Sequence, residues 1–111
     1  MIEMIEDNYT RWTKITNIVD GDTLDGFVDL GYRIWTEQRF RLLGVNTPER
    51  GKLGASEATE YVRTRLLNKK VSIRSEKDDA FGRWLAIIFI DGTTINLELL
   101  EYGYAVPYLR K

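Results

Sequence analysis

Three stretches in the first half of the chain alternate apolar and polar residues with the period of two that is typical of β-strands. We predict these strands over residues 9–19, 24–30 and 32–45. The alternation in the first stretch is imperfect, which predicts a bend or a bulge. Asp20-Gly21-Asp22-Thr23 and Leu30-Gly31 contain the residue types that dominate turns, so we expect the three strands to form a meander.

The second half of the chain changes to helical spacing and then returns to strand-like runs. Ala55, Ala58, Val62 and Leu66 recur at intervals of three and four, which predicts a helix over residues 55–67. Further along we predict strands over residues 70–76 and 82–90, a helix over residues 95–102 and an irregular tail over residues 104–111.

Two details of these later elements can be predicted from the same pattern. The strand 82–90 is nearly all apolar, which indicates burial on both of its faces. In the second helix we expect Leu97 and Leu100 to face the core and Gly103 to end the helix.

This order of elements predicts the fold class. Three strands, a helix, two strands and a short helix within 111 residues suit a single α+β domain. A meander followed by a helix and two closing strands is typical of the five-stranded Greek-key barrel of the oligonucleotide- and oligosaccharide-binding (OB) type. We expect residues 1–111 to form this one domain, with residues 1–8 as a disordered or extended segment.

The composition restricts the chemistry that the chain can perform. It contains no cysteine and no histidine, so disulfides, thiolate metal sites and imidazole catalysis are excluded. A net charge of -1 predicts that a nucleic acid would be attracted by a local cluster of charge rather than by the whole domain. No apolar run approaches the roughly 20 residues of a membrane span, and residues 1–8 lack the basic start of a signal peptide. These features favour a cytoplasmic over a secreted location and predict no membrane partner.

Polar side chains lie around the point where the third predicted strand ends. Arg41, Asn46, Thr47 and Glu49 supply a guanidinium, an amide oxygen, a hydroxyl and a carboxylate, and Pro48 would end the hydrogen-bonding ladder. A rigid strand that delivers these groups to one place is suited to carry chemistry.

Three segments together resemble the staphylococcal nuclease (thermonuclease) family. They are Val19-Asp20-Gly21-Asp22-Thr23, Arg41-Leu42-Leu43-Gly44-Val45-Asn46-Thr47-Pro48-Glu49 and Asp79-Ala80-Phe81-Gly82-Arg83. Each segment alone is a weak signal, but they occur in the family's order and spacing, with the predicted helix between the second and third. The resemblance covers about residues 12–103 and implies an OB-fold barrel that cleaves DNA and RNA with Ca²⁺ and leaves 3′-phosphate ends.

The resemblance implies a metal site. Asp22 matches a metal-binding carboxylate, Asn46 falls where a second aspartate is usual, and Thr47 would offer its backbone carbonyl to the Ca²⁺ ion. An amide oxygen still binds Ca²⁺, but the missing negative charge predicts a lower metal affinity. The chain also stops at Lys111, before the C-terminal helix that the type member of the family carries.

The resemblance also implies catalytic and substrate-binding residues. Arg41 and Arg83 match two phosphate-binding arginines, Glu49 matches the proposed general base, and Phe81 falls where an aromatic residue borders the nucleotide. These types suit the reaction, because a guanidinium binds two phosphate oxygens at once and stabilises the charge that develops on them. A carboxylate is the natural base in a chain without histidine.

The same residues also have ordinary structural interpretations. Taken singly, Asp22 fits a turn residue, Arg41 a solvated strand charge and Glu49 an exposed loop carboxylate. A nucleic-acid path and a solvated face are both open for the lysines at positions 69, 70 and 77, and the solvated face is favoured. Base stacking and packing are both open for the tryptophans at positions 12, 35 and 84, and packing is favoured for Trp12.

The function predicted from these residues is a monomeric, Ca²⁺-dependent nuclease that acts on single-stranded DNA or RNA. One base pocket beside one phosphate clamp needs an unstacked nucleotide, which favours a single strand. Asn46 and the near-neutral charge favour an alternative, a non-catalytic OB module that binds nucleic acid or protein. A third alternative is a chain that stays partly unfolded until a ligand binds.

Overall fold

The computed structural model describes residues 10–78 and 81–108, apart from the side chains of Lys77 and Asp78. The segment 1–8, for which a disordered or extended conformation is predicted, lies outside the described residues, as does the Asp79-Ala80 pair of the third sequence motif.

Eight strands and two helices are described along the chain. In chain order they are β1 (Thr10–Asp20), β2 (Thr23–Asp29), β3 (Trp35–Leu42), β4 (Val45–Asn46), α1 (Ala55–Leu66), β5 (Lys70–Asp78), β6 (Trp84–Ile90), β7 (Thr93–Thr94), α2 (Ile95–Glu101) and β8 (Val106–Pro107).

The five long strands close into a barrel. They lie in the order β3-β2-β1-β5-β6 with antiparallel neighbours, and a parallel pairing of β3 with β6 closes the sheet. α1 lies between β3 and β5 in the chain and α2 follows β6. The predicted OB-type α+β barrel with two helices is therefore confirmed.

The barrel interior and the inner faces of the two helices form one apolar core. Val62 and Leu66 of α1 and Ile95 and Leu99 of α2 are fully buried against the inward residues of the strands. The predicted bulge in the first strand is also present, since the register of β1 against β2 shifts twice between Ile15 and Asp20.

The helix predictions hold except for one side chain. α2 begins after Thr94, whose hydroxyl accepts a hydrogen bond from the backbone N–H of Leu97. The prediction that Leu97 faces the core is wrong, because this side chain is 47% exposed. Ile95 and Leu99, four residues apart, make the buried contacts instead, so Leu97 lies on the outward side of the helix.

The third strand is shorter than predicted at both ends. Its start moves to Trp35 because Tyr32 and Arg33 adopt left-handed conformations, with φ of 57° and 63°, and form a turn. Its end moves to Leu42 because Gly44, with φ of 80°, turns the chain there.

The continuation of the chain after this turn forms a separate small sheet. β4 pairs with β8, and therefore the prediction of an irregular tail is wrong for Val106–Pro107. This pairing makes the C-terminal segment a neighbour of the polar residues that follow the third strand.

Two predictions of burial are also corrected. Packing in the core or at a barrel end is predicted for Trp12, and the core is wrong, because Trp12 lies on the outward face of β1 and is 56% exposed. In β6, Leu85, Ala86 and Ile88 are buried as predicted, but Phe89 is 42% exposed on the outer face of the barrel. Within the described residues, no helix is long and apolar enough to cross a membrane.

Candidate active site

The turn between β1 and β2 brings the Asp22 carboxylate against the chain that follows β3. Gly21 makes this approach possible, because a Cβ at this position would lie 2.9 Å from side-chain atoms of both Thr47 and Ala58. Asp22 itself is only 7% exposed.

Three neighbours hold the Asp22 carboxylate. Oδ2 accepts the backbone N–H of Thr47 at 3.0 Å and lies 3.6 Å from Nη2 of Arg41, while Oδ1 accepts the Thr23 hydroxyl at 3.2 Å. Burial alone would raise the pKa of Asp22, but a hydrogen bond shared with Asp20, the Thr47 N–H and the charge of Arg41 together hold it below its usual value. Asp22 is therefore an ionised oxygen donor in a site with little water.

Asp20 is a second carboxylate beside Asp22. Its Oδ1 accepts the backbone N–H of Asp22 at 3.1 Å. Burial, with the hydrogen bond to the Asp22 carboxylate and the repulsion between the two charges, raises the pKa of Asp20. A cation placed between the two carboxylates would relieve this repulsion.

Arg41 connects Asp22 with the turn after β3. Its Nη1 donates to the carbonyl oxygens of Leu42 and Val45, each at 2.8 Å, and its Nη2 donates to Oδ1 of Asn46 at 3.1 Å. Since the chain must bend back at residues 43–44 to present these carbonyls, the turn that shortens the third strand also fixes the guanidinium. Arg41 is thus held in one orientation before any ligand binds.

Asn46 is the last residue of β4, and Thr47 comes directly after it. Asn46 is exposed, whereas Thr47 is buried behind the Asp22 carboxylate. β8 supports this segment, and the backbone N–H of Tyr108 donates to the Gly44 carbonyl at 2.9 Å. The Arg41 guanidinium lies 5.7 Å from the centre of the Tyr108 ring, a cation–π distance.

Glu49 lies on the loop that begins at Pro48. Its carboxylate is exposed, and no described residue pairs with it by a hydrogen bond or an ion pair. The loop itself is fixed, because the Glu49 carbonyl accepts the N–H of Lys52 at 2.9 Å and Arg50 donates to the Val19 carbonyl at 3.1 Å. An exposed carboxylate on a fixed loop is available to a water molecule.

Arg83 lies immediately before β6, the strand that pairs with the strand of Arg41. The parallel pairing places Leu85 beside Arg41, and Arg83 precedes Leu85 by two residues. Its guanidinium lies 4.9 Å from the centre of the Phe81 ring, which is exposed. Among the described residues, no hydrogen bond or ion pair joins Arg83 to the group formed by Asp22, Arg41 and Asn46.

The structure thus brings together only part of the predicted site by direct contact. Asp22, Arg41, Asn46 and Thr47 form one group, joined by two hydrogen bonds and by the ion pair between Asp22 and Arg41, while Glu49, Arg83 and Phe81 lie on adjoining segments. Within residues 10–78 and 81–108, no three acidic side chains lie close enough together to hold a metal ion. The side-chain oxygens of Asp22 and Asn46 are nevertheless neighbours, since both lie within 3.6 Å of the same Arg41 nitrogen, and carboxylate and amide oxygens are the ligand types that a hard cation binds.

Sequence reasoning missed three residues that support this group. The sequence pattern assigns Asp20 only to the turn and places Tyr108 in a tail with no predicted structure. Asn96 of α2 is buried, and its amide joins the turn after β3 to β6 through hydrogen bonds with Leu43, Ala86 and Ile88. The Asp-Gly-Asp spacing was a usable signal for Asp20, whereas Tyr108 and Asn96 depend on long-range pairing.

The fold and the site define a small OB barrel with an oxygen-rich, arginine-containing site beyond the end of one strand. Residues 39–111 match the family model described as staphylococcal nuclease homologue. The chain belongs to this family.

Sequence comparison finds relatives that match most of this chain. An uncharacterized protein of Methanocaldococcus jannaschii is 32% identical over 126 residues, which cover 86% of this chain and 58% of that protein. A thermonuclease of Staphylococcus hyicus is 31% identical over 100 residues, covering 83% and 56%. A thermonuclease of Staphylococcus intermedius is 27% identical over 99 residues, covering 82% and 56%. The chain therefore spans a little over half the length of these relatives.

Proposed function

We propose that this protein is a Ca²⁺-dependent nuclease that hydrolyses phosphodiester bonds of single-stranded DNA or RNA and leaves 3′-phosphate ends. The observation that carries the proposal is the contact of one fixed guanidinium, that of Arg41, with both Asp22 and Asn46, beside the exposed Glu49. Family membership and the two related thermonucleases support the reaction class. The Ca²⁺ dependence, the single-strand preference and the 3′-phosphate product come from the family resemblance and the site chemistry.

Arg41 would bind a phosphate oxygen with little reorganisation. Its Nη1 is already occupied by two backbone carbonyls, so the nitrogen that would turn toward a phosphate is Nη2, which now bonds to Asn46. Arg83, immediately before the neighbouring strand β6, would approach the same phosphate from a second side. Two guanidinium groups in these positions would stabilise the negative charge that develops on phosphorus-bound oxygens.

Glu49 would accept the proton of the attacking water. Its carboxylate is exposed and has no partner among the described residues, so a water can reach it. The hydrogen bond from the Lys52 N–H to the Glu49 carbonyl fixes the backbone at Glu49, which is two residues along the chain from Thr47. Phe81, which is exposed beside Arg83, would contact the nucleotide.

Asp22, the side-chain oxygen of Asn46 and the backbone carbonyl of Thr47 are the groups that would hold the Ca²⁺ ion. When bound, the ion would add positive charge next to the scissile phosphate. Asp22 is suited to this role because its pKa is held below the usual value, so it is ionised at neutral pH.

The test is cleavage of a fluorescent single-stranded oligonucleotide, with millimolar Ca²⁺ and with a chelator. We expect Ca²⁺-dependent cleavage that falls at least 100-fold in Glu49→Gln, because general base catalysis contributes on the order of 10²–10⁴. Glu57→Gln, which removes an exposed carboxylate from the first turn of α1, is the matched control and should keep full activity.

A non-catalytic binding module is the second candidate, and Asn46 is the observation that favours it. With an amide in place of a carboxylate, the site lacks one of the charges that attract a cation. No cleavage at millimolar Ca²⁺, with the oligonucleotide still bound, would select this candidate. Recovery of cleavage in Asn46→Asp would then show that one missing charge separates the module from the enzyme.

A further inference from the structure

Two aromatic side chains flank a small residue on the outer face of the barrel. Trp12 of β1 pairs with Ser72 of β5, which pairs in turn with Phe89 of β6. Paired residues on antiparallel strands point to the same face, so the three side chains form one outward row. Trp12 is 56% and Phe89 42% exposed, and between them lies a groove of about 370 Å³.

The neighbouring row of the same face carries lysines next to a third aromatic ring. Lys14 of β1 pairs on one side with Phe27 of β2 and on the other with Lys70 of β5. Lys14 and Trp12 are two residues apart on β1, so this row adjoins the first. We call the surface formed by Trp12, Lys14, Phe27, Lys70, Ser72 and Phe89 the aromatic–lysine face.

The charge on this face is not neutralised within the described residues. Lys14 and Lys70 lie directly opposite one another, an arrangement of like charges that destabilises a sheet. No described carboxylate forms an ion pair with Lys14, Lys70 or the adjacent Lys69. An anionic partner would relieve the repulsion.

The basic and aromatic groups are interleaved rather than separate. Nζ of Lys70 lies 5.8 Å from the centre of the Trp12 ring. Lys69 and Lys70 both line the groove between Trp12 and Phe89, together with Arg65 and Asp91, which form an ion pair with each other at 3.1 Å. A ligand that fits both features carries negative charge at short intervals and presents flat rings to the aromatic side chains.

We propose that the aromatic–lysine face is a second binding site for single-stranded nucleic acid. The lysines would contact phosphates, and Trp12 and Phe89 would stack on unpaired bases. Trp12 and Phe89 are two strand spacings apart, roughly 10 Å, and the short Ser72 side chain leaves the space between them open to a base. An acidic peptide would use the lysines but would leave the aromatic rings without a partner, so the rings favour the nucleic acid.

This site is separate from the candidate active site. Lys14 pairs with Phe27 and Asp20 pairs with Thr23, and these two partners are four residues apart on β2, which is roughly 14 Å along the strand. A strand several nucleotides long would be needed to reach both. Only this last statement rests on the proposed nuclease, because binding to the face does not require cleavage.

The test is the fluorescence anisotropy of a labelled 20-nucleotide oligothymidylate with the full chain in a chelator, so that no cleavage takes place. We expect Trp12→Ser to weaken binding by about 10-fold, since stacking on one base contributes roughly 1–3 kcal/mol. The double variant Lys14→Gln/Lys70→Gln should lower the slope of log K against log salt concentration by about 1.4, which is roughly 0.7 for each phosphate that a lysine no longer neutralises. The charge-matched control Arg33→Gln/Arg63→Gln, on a turn and on α1, should change neither quantity.

Two results would overturn the proposal. One is an affinity and a salt slope that stay at wild-type values in both the Trp12→Ser and the lysine variants. The other is equal competition by a polyphosphate of the same charge, with Trp12→Ser and Phe89→Ser binding like the wild type, which would indicate a surface for any polyanion.

If Trp12→Ser fails to fold in a thermal melt, Trp12→Leu removes the ring but keeps an apolar side chain and serves in its place. Binding that is unchanged in Arg41→Gln but about 10-fold weaker in Trp12→Ser supports this face whether or not the nuclease proposal holds.

Discussion

Nη2 of Arg41 donates a hydrogen bond to the side-chain oxygen of Asn46 at 3.1 Å, so in the free protein each of these two atoms already has the other as its partner. The same nitrogen lies 3.6 Å from the Asp22 carboxylate. A ligand that takes up these oxygen atoms would therefore release Nη2 for a second, anionic ligand. Cation binding and phosphate binding are expected to strengthen one another at this site.

Restoring a carboxylate at position 46 tests this relationship. Asn46→Asp adds a negative charge to the oxygen donors, so we expect Ca²⁺ to bind about 10-fold more tightly. Isothermal titration calorimetry of wild type and variant measures the change. A variant that binds Ca²⁺ no more tightly than the wild type would show that Asn46 does not contact the ion. Asn68→Asp, which adds the same charge at an exposed position outside the site, controls for a general change in charge.

Replacing Arg41 with lysine separates charge from geometry. Lysine keeps the positive charge but cannot donate to Leu42, Val45 and Asn46 together while it binds a phosphate. We expect kcat/KM on a single-stranded substrate to fall by about 10²–10³. Arg39→Lys is the matched control, because Arg39 lies on the same strand face but pairs with Asp25, and its variant should keep activity within about twofold. Equal losses in both variants would contradict the assignment of Arg41.

Gly21→Ala tests the close approach that positions Asp22. The added methyl group would lie 2.9 Å from Thr47 and Ala58 atoms, so the turn must shift. We expect a loss of about 1–3 kcal/mol in the free energy of unfolding, measured by urea denaturation, together with weaker Ca²⁺ binding. Gly31→Asn is the control, since nothing lies within 4 Å of Gly31 and asparagine tolerates its φ of 86°. A fully stable Gly21→Ala with wild-type Ca²⁺ binding would remove this role from Gly21.

The contact between α1 and α2 predicts how stability depends on pH. The hydrogen bonds from Arg65, at 2.9 and 2.6 Å, lower the pKa of Glu98 below its usual 4.5, so its contribution to stability is present above pH 4.5 and is lost as the pH falls through the lowered value. Burial and the bond to Glu98 raise the pKa of Tyr61 to about 12, so its contribution is present below pH 10 and is lost as the pH rises toward 12.

Urea denaturation between pH 2 and pH 12 measures both limits. In Glu98→Gln we expect about 2 kcal/mol less stability at pH 7 and a weaker decline on the acid side, because one carboxylate no longer takes up a proton on unfolding. An acid limb of the same steepness in the variant would assign the decline to other carboxylates. Glu57→Gln, on the exposed side of α1, should follow the wild type at every pH.

Local patterns predicted the barrel because they coincide with tertiary burial. The periods of two and 3.6 mark the inward positions of the long strands and of α1, and the short turns leave few alternative topologies. The hydrophobic pattern failed for tryptophan, a residue type that occurs both in cores and on exposed strand faces. Trp12 has the large apolar side chain of a core residue, yet its position in the register of β1 places it on the outer face of the barrel. The register of a strand cannot be predicted from that strand alone.

The sequence predicted which residues belong to the candidate site but not which of them contact one another. Asp22, Arg41 and Asn46 belong to sequence segments whose proximity depends on the pairing of β2 with β3 and on the turn at Gly44. The supporting residues Tyr108 and Asn96 come from segments more than 40 residues further along the chain, and their contacts follow only from the closed fold. The roles of Glu49 and Arg83 remain predictions for the cleavage assay.

The pairing of β4 with β8 has a consequence for exchange with solvent. The strand that carries Asn46 is bonded to the C-terminal segment, and the Tyr108 amide bonds to the Gly44 carbonyl at 2.9 Å. Opening of this small sheet would therefore free the Asn46 side-chain oxygen to move and would expose the Tyr108 amide to exchange with solvent at the same time. Deuterium uptake at Tyr108 should slow when the site is filled, so this amide far along the chain is a direct readout of ligand binding at the barrel.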